Sequence, residues 1–339
     1  MGFVSTPEAG HEAVALGVGA LVRLAHRGGL DADGKSGDGA GLLIQVPHRL
    51  LGGDFAVTAL FEWEGRGRQV FESAAATVGI QVADWRSVPV DPETLGGRAR
   101  ETMPGIWHGL IANTSLEPDE WERRLYLARR RAEKLAASEG VRMYVSSCSS
   151  RTLVYKGLMA GTRLADFYLD LRDPSCESRL AVFHQRYSTN TMPDWRLAQP
   201  FRMLAHNGEI NTITGNRAWM RAREAELESE LQGVIWPEGS DSASLDNALE
   251  LLVHRGWEVS EALMSLVPTH GKAAVTSRGL CATSIAISRS ASSPGTDLPR
   301  WLSATESSWA QPSTAMACDH CAGSARAMAW SPRPPKLAS

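Results

Sequence analysis

Apolar residues recur at helical spacing in three segments of the chain. They repeat near every 3.6 positions in residues 7–26 and 117–138, and a similar pattern runs from about residue 216 to 232. Glycines suited to helix ends follow these segments at Gly28, Gly140 and Gly233. The pattern therefore predicts three helices, and Pro118 fits the first turn of the second one.

Short apolar runs between these segments are typical of buried strands. They cover residues 41–47, 142–147, 151–156 and 179–185. Strands and helices are interspersed without a repeating strand–helix–strand unit. This order favours an α+β fold over a doubly wound parallel sheet.

Composition narrows the class of protein. The chain has 339 residues, of which 43% are hydrophobic and 22% charged, and its net charge is −3. These values predict a globular protein with a sizeable core, and the mild negative charge disfavours nucleic acid as a partner. No apolar run has the length of a membrane span, and no stretch resembles a signal peptide. We therefore expect a cytoplasmic protein with no membrane partner, and five dispersed cysteines do not indicate a disulfide framework.

The composition changes near residue 268. Residues 269–339 hold 13 serines, three of the five cysteines, and seven Lys/Arg against three Asp/Glu. Such a shift is typical of a linker, a separate domain or a tail.

Two short motifs match patterns of known binding sites, but their surroundings in the sequence do not favour binding. Residues 29–36 satisfy the phosphate-loop pattern, but a predicted helix precedes them and further glycines follow at 37, 39 and 41. A phosphate loop instead leaves a strand and opens a helix, so we expect a tight loop here. Cys318 and Cys321 have the spacing of half a zinc site, but no second ligand pair lies nearby, so no metal is expected.

The segment 184–211 is dense in groups that bind anions and donate hydrogen bonds. Arg186 follows a predicted strand, where its guanidinium can hold a carboxylate with two parallel hydrogen bonds. Asn207 and Gly208 can direct a side-chain amide and a backbone N–H at one developing oxyanion. The same residues also suit a polar turn network that supports a sheet, and chemistry alone leaves both interpretations open.

Ordered motifs across residues 1–268 resemble the glutaminase domain of the glutamate synthase large chain, a class II glutamine amidotransferase of the N-terminal-nucleophile hydrolase type. The motifs are His26-Arg27-Gly28-Gly29, Ser36-Gly37-Asp38-Gly39-Ala40-Gly41, Val154-Tyr155-Lys156-Gly157, residues 186–191, His206-Asn207-Gly208-Glu209-Ile210-Asn211, residues 219–224 and residues 240–247. The resemblance implies a four-layer αββα sandwich of two antiparallel sheets, an α+β fold that is incomplete at its C-terminal end here.

The resemblance also implies roles for particular residues. Arg186 matches the residue that grips the α-carboxylate of glutamine, and Asp241 matches the one that binds the α-ammonium group. Asn207 and Gly208 match the oxyanion hole, and Arg27 matches an arginine that lies near the nucleophile and helps to order the site. The family nucleophile is an N-terminal cysteine whose α-amino group serves as general base. In the family, ammonia then passes to a synthase domain. The full-length enzyme also has a flavin (FMN), an iron–sulfur cluster and a small subunit. These belong to its later parts, so no cofactor is expected in this chain.

The chain departs from the family pattern at both ends. The family begins Cys-Gly-Val, whereas this chain begins Met1-Gly2-Phe3, so the nucleophile is absent and we expect the chain as printed not to hydrolyse glutamine. Our hypothesis is that the start lies two codons late. The resemblance stops at Pro268. Beyond it, a shifted reading frame permits family-like sequence for codons compatible with residues 268–272, 294–306 and 314–323. We therefore expect 1–268 to be the glutaminase domain and 269–339 to be an out-of-frame tail without a unique fold.

Two other functions remain as alternatives at this stage. One is a non-catalytic glutamine-binding remnant, or a gene fragment. The other is a phosphate-loop nucleotidase, which predicts thermal stabilisation by ATP, and we expect none.

Overall fold

The structure, a computed structural model, describes residues 1–29, 33, 35–113, 115–185, 193–207, 210 and 213–266, together with the backbone of 314–316. The strands are β1 (Gly2–Gly10), β2 (Ala40–Gln45), β3 (Phe55–Glu62), β4 (Val82–Ser87), β5 (Gly105–Ala112), β6 (Met143–Ser149), β7 (Thr152–Gly157), β8 (Ser178–Gln185), β9 (Leu204–His206) and β10 (Thr314–Met316). The helices are α1 (His11–Arg23), α2 (His48–Leu51), α3 (Gly67–Ala76), α4 (Gly97–Glu101), α5 (Pro118–Glu139), α6 (Leu164–Phe167), α7 (Ile213–Glu224), α8 (Asp241–His254) and α9 (Val259–Leu266).

Two four-stranded antiparallel sheets form the centre of the fold. The strand order is β1-β8-β2-β7 in the first sheet and β4-β5-β3-β6 in the second, and β9 pairs with β10. Side chains alternate between the two faces of each strand. Val57 and Phe61 of β3 therefore share a core with Leu42 and Ile44 of the first sheet, while Leu60 faces the other way.

Helices cover the sheets and build a second core. Helix α1 packs along β8, while α3 and α5 cover the outer face of the second sheet, where Phe71 and Leu125 meet Leu60. The opposite side of α5 contacts α7, α8 and α9 through a cluster that includes Tyr126 and Leu249. The architecture is an α+β sandwich of two antiparallel sheets with helices, which confirms the predicted fold class.

The predicted helix over 7–26 is wrong in its first part. Residues 7–10 belong to strand β1, and α1 begins at His11. Strand β1 lies at the edge of its sheet, and its register shifts between Ser5 and Gly10. An edge strand with such an irregularity accommodates Pro7, whose ring nitrogen has no proton to donate.

The predicted helix over 117–138 is confirmed, whereas the helix predicted from about residue 216 to 232 ends early. Helix α5 starts at Pro118 and ends before Gly140, which has a φ of +66°. Helix α7 ends at Glu224 instead of continuing to residue 232. The later carbonyls accept hydrogen bonds from α5 side chains, since Lys134 Nζ lies 2.9 Å from the Ser229 oxygen and Arg130 donates to the oxygen of Gln232. Tertiary contacts therefore replace the last helical turns.

Strands β2, β6, β7 and β8 confirm the four strands predicted from apolar runs. The described part of the phosphate-loop motif is a turn, because the Asp33 carboxylate accepts hydrogen bonds from the amides of Lys35 and Ser36. Among the described residues, no helix is long and apolar enough to cross a membrane. The predicted tail, with Cys281, Cys318 and Cys321, lies outside the described residues apart from the backbone of β10.

Candidate active site

The first residue lies beside the end of strand β8. Gly2 pairs with Phe183 in the register of β1 and β8, and Met1 packs against an apolar cluster that includes Leu43 and Val182. Burial of the α-amino group lowers its pKa, and the positive charge of Arg27 lowers it further. An amine with a lowered pKa is better suited to accept a proton near neutral pH.

Arg27 is brought to this amine by a tightly packed loop. The arginine is exposed and ends a short 3₁₀ turn that follows α1. A Cβ atom on Gly28 would lie 2.2 Å from Gln185 Nε2, and one on Gly29 would lie 2.2 Å from Asp38 Oδ2. The two glycines therefore let the loop lie against the end of β8 and against Asp38, which accepts a hydrogen bond from the Gly29 amide at 3.1 Å.

The segment that leads to Asn207 is held by two buried side chains. Gln199 Nε2 donates to the His206 carbonyl at 3.0 Å, and Gln199 Oε1 accepts from the His206 amide at 2.7 Å. His184 Nε2 donates to the same carbonyl at 3.1 Å. Asn207 directly follows this anchored residue and is exposed.

Asp241 is the first residue of α8, where the helix dipole favours a negative charge. Its side chain is buried, and Oδ2 accepts a hydrogen bond from the Ile210 amide at 3.0 Å. Oδ1 accepts from the Ser242 hydroxyl, also at 3.0 Å. The neighbouring Ser240 caps the helix by accepting a hydrogen bond from the Ala243 amide. A carboxylate is thus fixed beside the segment that carries Asn207.

The structure describes three of the five predicted site residues, Arg27, Asn207 and Asp241. Arg27 lies near the Met1 amine, and Asp241 binds the backbone three residues after Asn207. Arg186 and Gly208 lie outside the described residues, so their predicted roles stay predictions. In the sequence, Arg186 directly follows the last residue of β8, and Gly208 directly follows Asn207.

Sequence reasoning assigned no role to the residues that hold this site. Gln199, His206 and Ser242 stand out in the sequence only as polar residues, and each has a partner seven or more positions away in the chain. Arg202, in the same polar segment, is buried against Asp246 and Glu250 and serves the core. Long-range partners of this kind leave no spacing signal in a single sequence.

Neither of the two described cysteines is suited to act as the nucleophile. Burial raises the pKa of Cys148 and of Cys176 to about 12 in each case, so both stay protonated thiols at neutral pH. In the described part of the chain, no group of three or more His, Cys, Asp or Glu residues could hold a metal ion.

Comparison with known proteins matches the chain to a family. The family described as glutamine amidotransferases class-II matches residues 1–278. Ferredoxin-dependent glutamate synthase 1 of Arabidopsis thaliana is 41% identical over 278 residues, which cover 74% of this chain and 17% of that protein. The glutamate synthase [NADPH] large chain of Azospirillum brasilense is 40% identical, with 74% and 18% covered. Ferredoxin-dependent glutamate synthase 2 of Synechocystis is 42% identical, with 76% and 18% covered, so the chain spans less than a fifth of the length of these relatives.

Proposed function

Because the chain belongs to the class-II glutamine amidotransferases, we propose that residues 1–268 form a glutaminase domain that releases ammonia from glutamine. The observation that carries the proposal is the buried Asp241 carboxylate, which the Ile210 amide fixes beside the segment that carries Asn207. In an N-terminal nucleophile, the α-amino group of the same residue serves as the general base.

The proposed reaction uses an N-terminal thiol and proceeds in two steps. The α-amine takes the thiol proton, the thiolate attacks the side-chain carbonyl carbon of glutamine, and the oxyanion is stabilised by Asn207 and Gly208. The C–N bond then breaks, the amine returns the proton to the leaving ammonia, and a thioester remains. Water attacks the thioester, releases glutamate and restores the thiol.

Two charged groups are proposed to hold the substrate. Arg186 binds the α-carboxylate through its planar guanidinium, and Asp241 binds the α-ammonium group. The described position of Asp241 supports this assignment, because its carboxylate is held by the Ile210 amide and the Ser242 hydroxyl beside Asn207. A carboxylate suits an ammonium group because it only accepts hydrogen bonds and carries the opposite charge.

The chain as printed has an amine but no thiol at residue 1. We propose that it binds glutamine without hydrolysing it, and that a chain beginning Cys-Gly-Met1 is active. The register supports this extension: Gly2 pairs with Phe183 and Phe3 with Val182, so added residues continue β1 toward the end of β8.

The larger reaction is proposed from the relatives. Their names include ferredoxin-dependent and NADPH glutamate synthases. We propose that this domain supplies ammonia for glutamate synthesis from 2-oxoglutarate, in a protein with a synthase domain and a small subunit. FMN and iron–sulfur chemistry would belong to those other parts, since the glutaminase step uses only the residues named above.

The experiment compares the full chain extended by Cys-Gly with the same chain extended by Ala-Gly and with the chain as printed. We expect glutamate release from glutamine only with Cys-Gly, and glutamine binding by all three in isothermal titration calorimetry. Binding without release by the Cys-Gly chain would instead support a non-catalytic glutamine-binding protein. Failure of all three chains to bind glutamine contradicts the proposal.

A further inference from the structure

One helix holds both sides of the segment that carries Asn207. Asp246 of α8 accepts hydrogen bonds from the amides of Met203, at 2.8 Å, and Leu204, at 3.3 Å. On the other side of Asn207, Asp241 accepts from the Ile210 amide at 3.0 Å. The position of α8 therefore fixes the backbone on either side of the proposed oxyanion hole.

A third contact from α8 lies between these two. Ser242 Oγ is 3.1 Å from His206 Nδ1 and 3.0 Å from Asp241 Oδ1. Ser242 is 1% exposed and His206 is 2% exposed, so water does not compete for these bonds. The side chains of His206, Ser242 and Asp241 thus form one continuous hydrogen-bonded chain.

The direction of this chain follows from its donors and acceptors. A carboxylate only accepts, so the single Ser242 proton goes to Asp241. The serine oxygen must then accept a proton from His206 Nδ1. Burial lowers the pKa of His206, although the charge of Asp241 opposes this effect, so the ring stays neutral with its one proton on Nδ1. Among the described residues, His206 Nε2 has no hydrogen-bond partner, in agreement with a ring that carries no proton there.

His206 is itself part of the backbone that positions Asn207. Its amide and carbonyl are bound by Gln199, and its carbonyl is also bound by His184. The ring contact to Ser242 adds a restraint from α8 to this backbone restraint. Ser242 thereby connects Asp241 to the residue directly before Asn207.

We propose that Ser242 is a positioning residue that links the ammonium-binding carboxylate of Asp241, through the ring of His206, to the backbone that places Asn207. The proposal rests on the proposed function, since it assigns the linkage to glutamine binding and hydrolysis. It predicts that Ser242 serves the step in which the oxyanion forms more than it serves substrate binding. Substrate binding is expected to change little because the charge on Asp241 remains when the Ser242 hydroxyl is removed.

The first test measures kinetics of the Cys-Gly-extended full chain. In Ser242→Ala we expect kcat for glutamine hydrolysis to fall about tenfold, because a small displacement of an oxyanion donor weakens transition-state stabilisation, whereas KM changes less than about threefold. Ser242→Thr keeps the hydroxyl and should restore kcat to within about threefold of the parent. Equal kcat in Ser242→Ala and the parent, or a rise in KM alone, would overturn the proposal.

Ser244→Ala is the matched control. Ser244 is also a buried serine of α8, but its hydroxyl donates to the Ser240 carbonyl at 3.1 Å and accepts from Arg217 Nε at 2.9 Å. It lies outside the chain of bonds to His206. We expect this variant to lose stability as Ser242→Ala does and to keep the parent kcat. An equal loss of kcat in both variants would show that any buried hydroxyl of α8 has the same effect, which contradicts the proposal.

A second readout does not depend on catalysis. Nitrogen-15 spectra of histidine should show the proton of His206 on Nδ1 at neutral pH, and glutamine should shift these ring signals in the parent but not in Ser242→Ala. If the extended chain hydrolyses no glutamine, the proposed function fails, and these spectra still decide the linkage. A proton on Nε2 of His206, or signals that Ser242→Ala leaves unchanged, would refute it.

Discussion

At the residue scale, small side chains determine how closely the site segments approach each other. A Cβ atom on Gly41 of β2 would lie 2.6 Å from the Gln199 carbonyl oxygen and 2.9 Å from that of Tyr155. These obstacles are backbone atoms, which cannot rotate away as a side chain can. Gly41 therefore lets the segment that contains Gln199, and with it the anchor of His206, lie directly on the first sheet.

This close approach predicts the effect of a single methyl group. We expect Gly41→Ala to lower the free energy of unfolding by about 1–3 kcal/mol, as overpacking does in other cores. The control is Gly215→Ala in α7, where no atom lies within 4 Å of the added Cβ. A helical glycine without obstacles should gain about 0.5–1 kcal/mol when changed to alanine. Urea unfolding measures both values, and equal effects at the two positions would refute the packing argument.

A buried histidine predicts part of the acid sensitivity of the fold. Burial lowers the pKa of His108 from 6.5 to about 4, and the charge of Arg86 also lowers it while Asp170 opposes. Below pH 6.5 the unfolded chain therefore binds a proton that the native chain does not, so native stability falls as the pH drops toward 4. This group contributes no pH dependence above its unfolded pKa.

The variant His108→Gln removes this proton-binding site. We expect it to reduce the loss of unfolding free energy between pH 6.5 and 4 by about 3 kcal/mol relative to the parent, since one pKa unit corresponds to about 1.4 kcal/mol. The absolute stability of the variant does not affect this slope. Urea unfolding at several pH values measures it, and parallel curves for parent and variant would show that His108 is not responsible.

At the element scale, α8 organises the site from one side while the first sheet does so from the other. Asp246 is fully buried, binds the amides of Met203 and Leu204, and lies 3.3 Å from Arg202. Arg202 in turn contacts Glu250 of the same helix. Strand β9 is thus attached to α8 by charge-assisted hydrogen bonds, which are stronger than neutral ones.

Loss of this attachment should be costly. We expect Asp246→Ala to lower the free energy of unfolding by about 3–5 kcal/mol, because it leaves two backbone amides and part of the Arg202 charge buried without their acceptor. Asp54→Ala is the control, since the Asp54 side chain is 76% exposed beside His48. That change should stay within about 0.5 kcal/mol. Equal midpoints of urea unfolding for the two variants would contradict this account of α8.

The elements that sequence predicted correctly are those with strong local signals. Helix α5 has a full apolar period with Pro118 and Gly140 at its ends, and β2 and β8 are continuous apolar runs. The errors arose where a distant partner decides the structure. Residues 7–10 form a strand because they pair with β8, and residues 225–232 leave the helix because α5 side chains bind their carbonyls.

The same distinction applies to the site. Asn207, Asp241 and Arg27 are predicted from motifs that resemble those of a known family, and the structure places Arg27 near the first amine and Asp241 near the segment of Asn207. The residues that hold them, such as Gln199 and Ser242, act through partners in other elements. Chemistry at a single position predicts a role, but only the fold shows which side chains enforce its geometry.

At the scale of the whole molecule, the site is assembled from segments that are far apart in the chain. The first residue and the loop after α1 lie against strands of the first sheet, and β9 is attached to α8. The family match over residues 1–278 covers all of these segments.

The most direct test of this account is mass spectrometry of the chain extended by Cys-Gly, quenched with acid during turnover of glutamine. We predict a glutamyl thioester on the N-terminal peptide, and no adduct when Ala-Gly replaces Cys-Gly. An adduct on Cys148 or Cys176, or turnover of glutamine by the Ala-Gly chain, would contradict the claim that the first residue supplies both the nucleophile and its base.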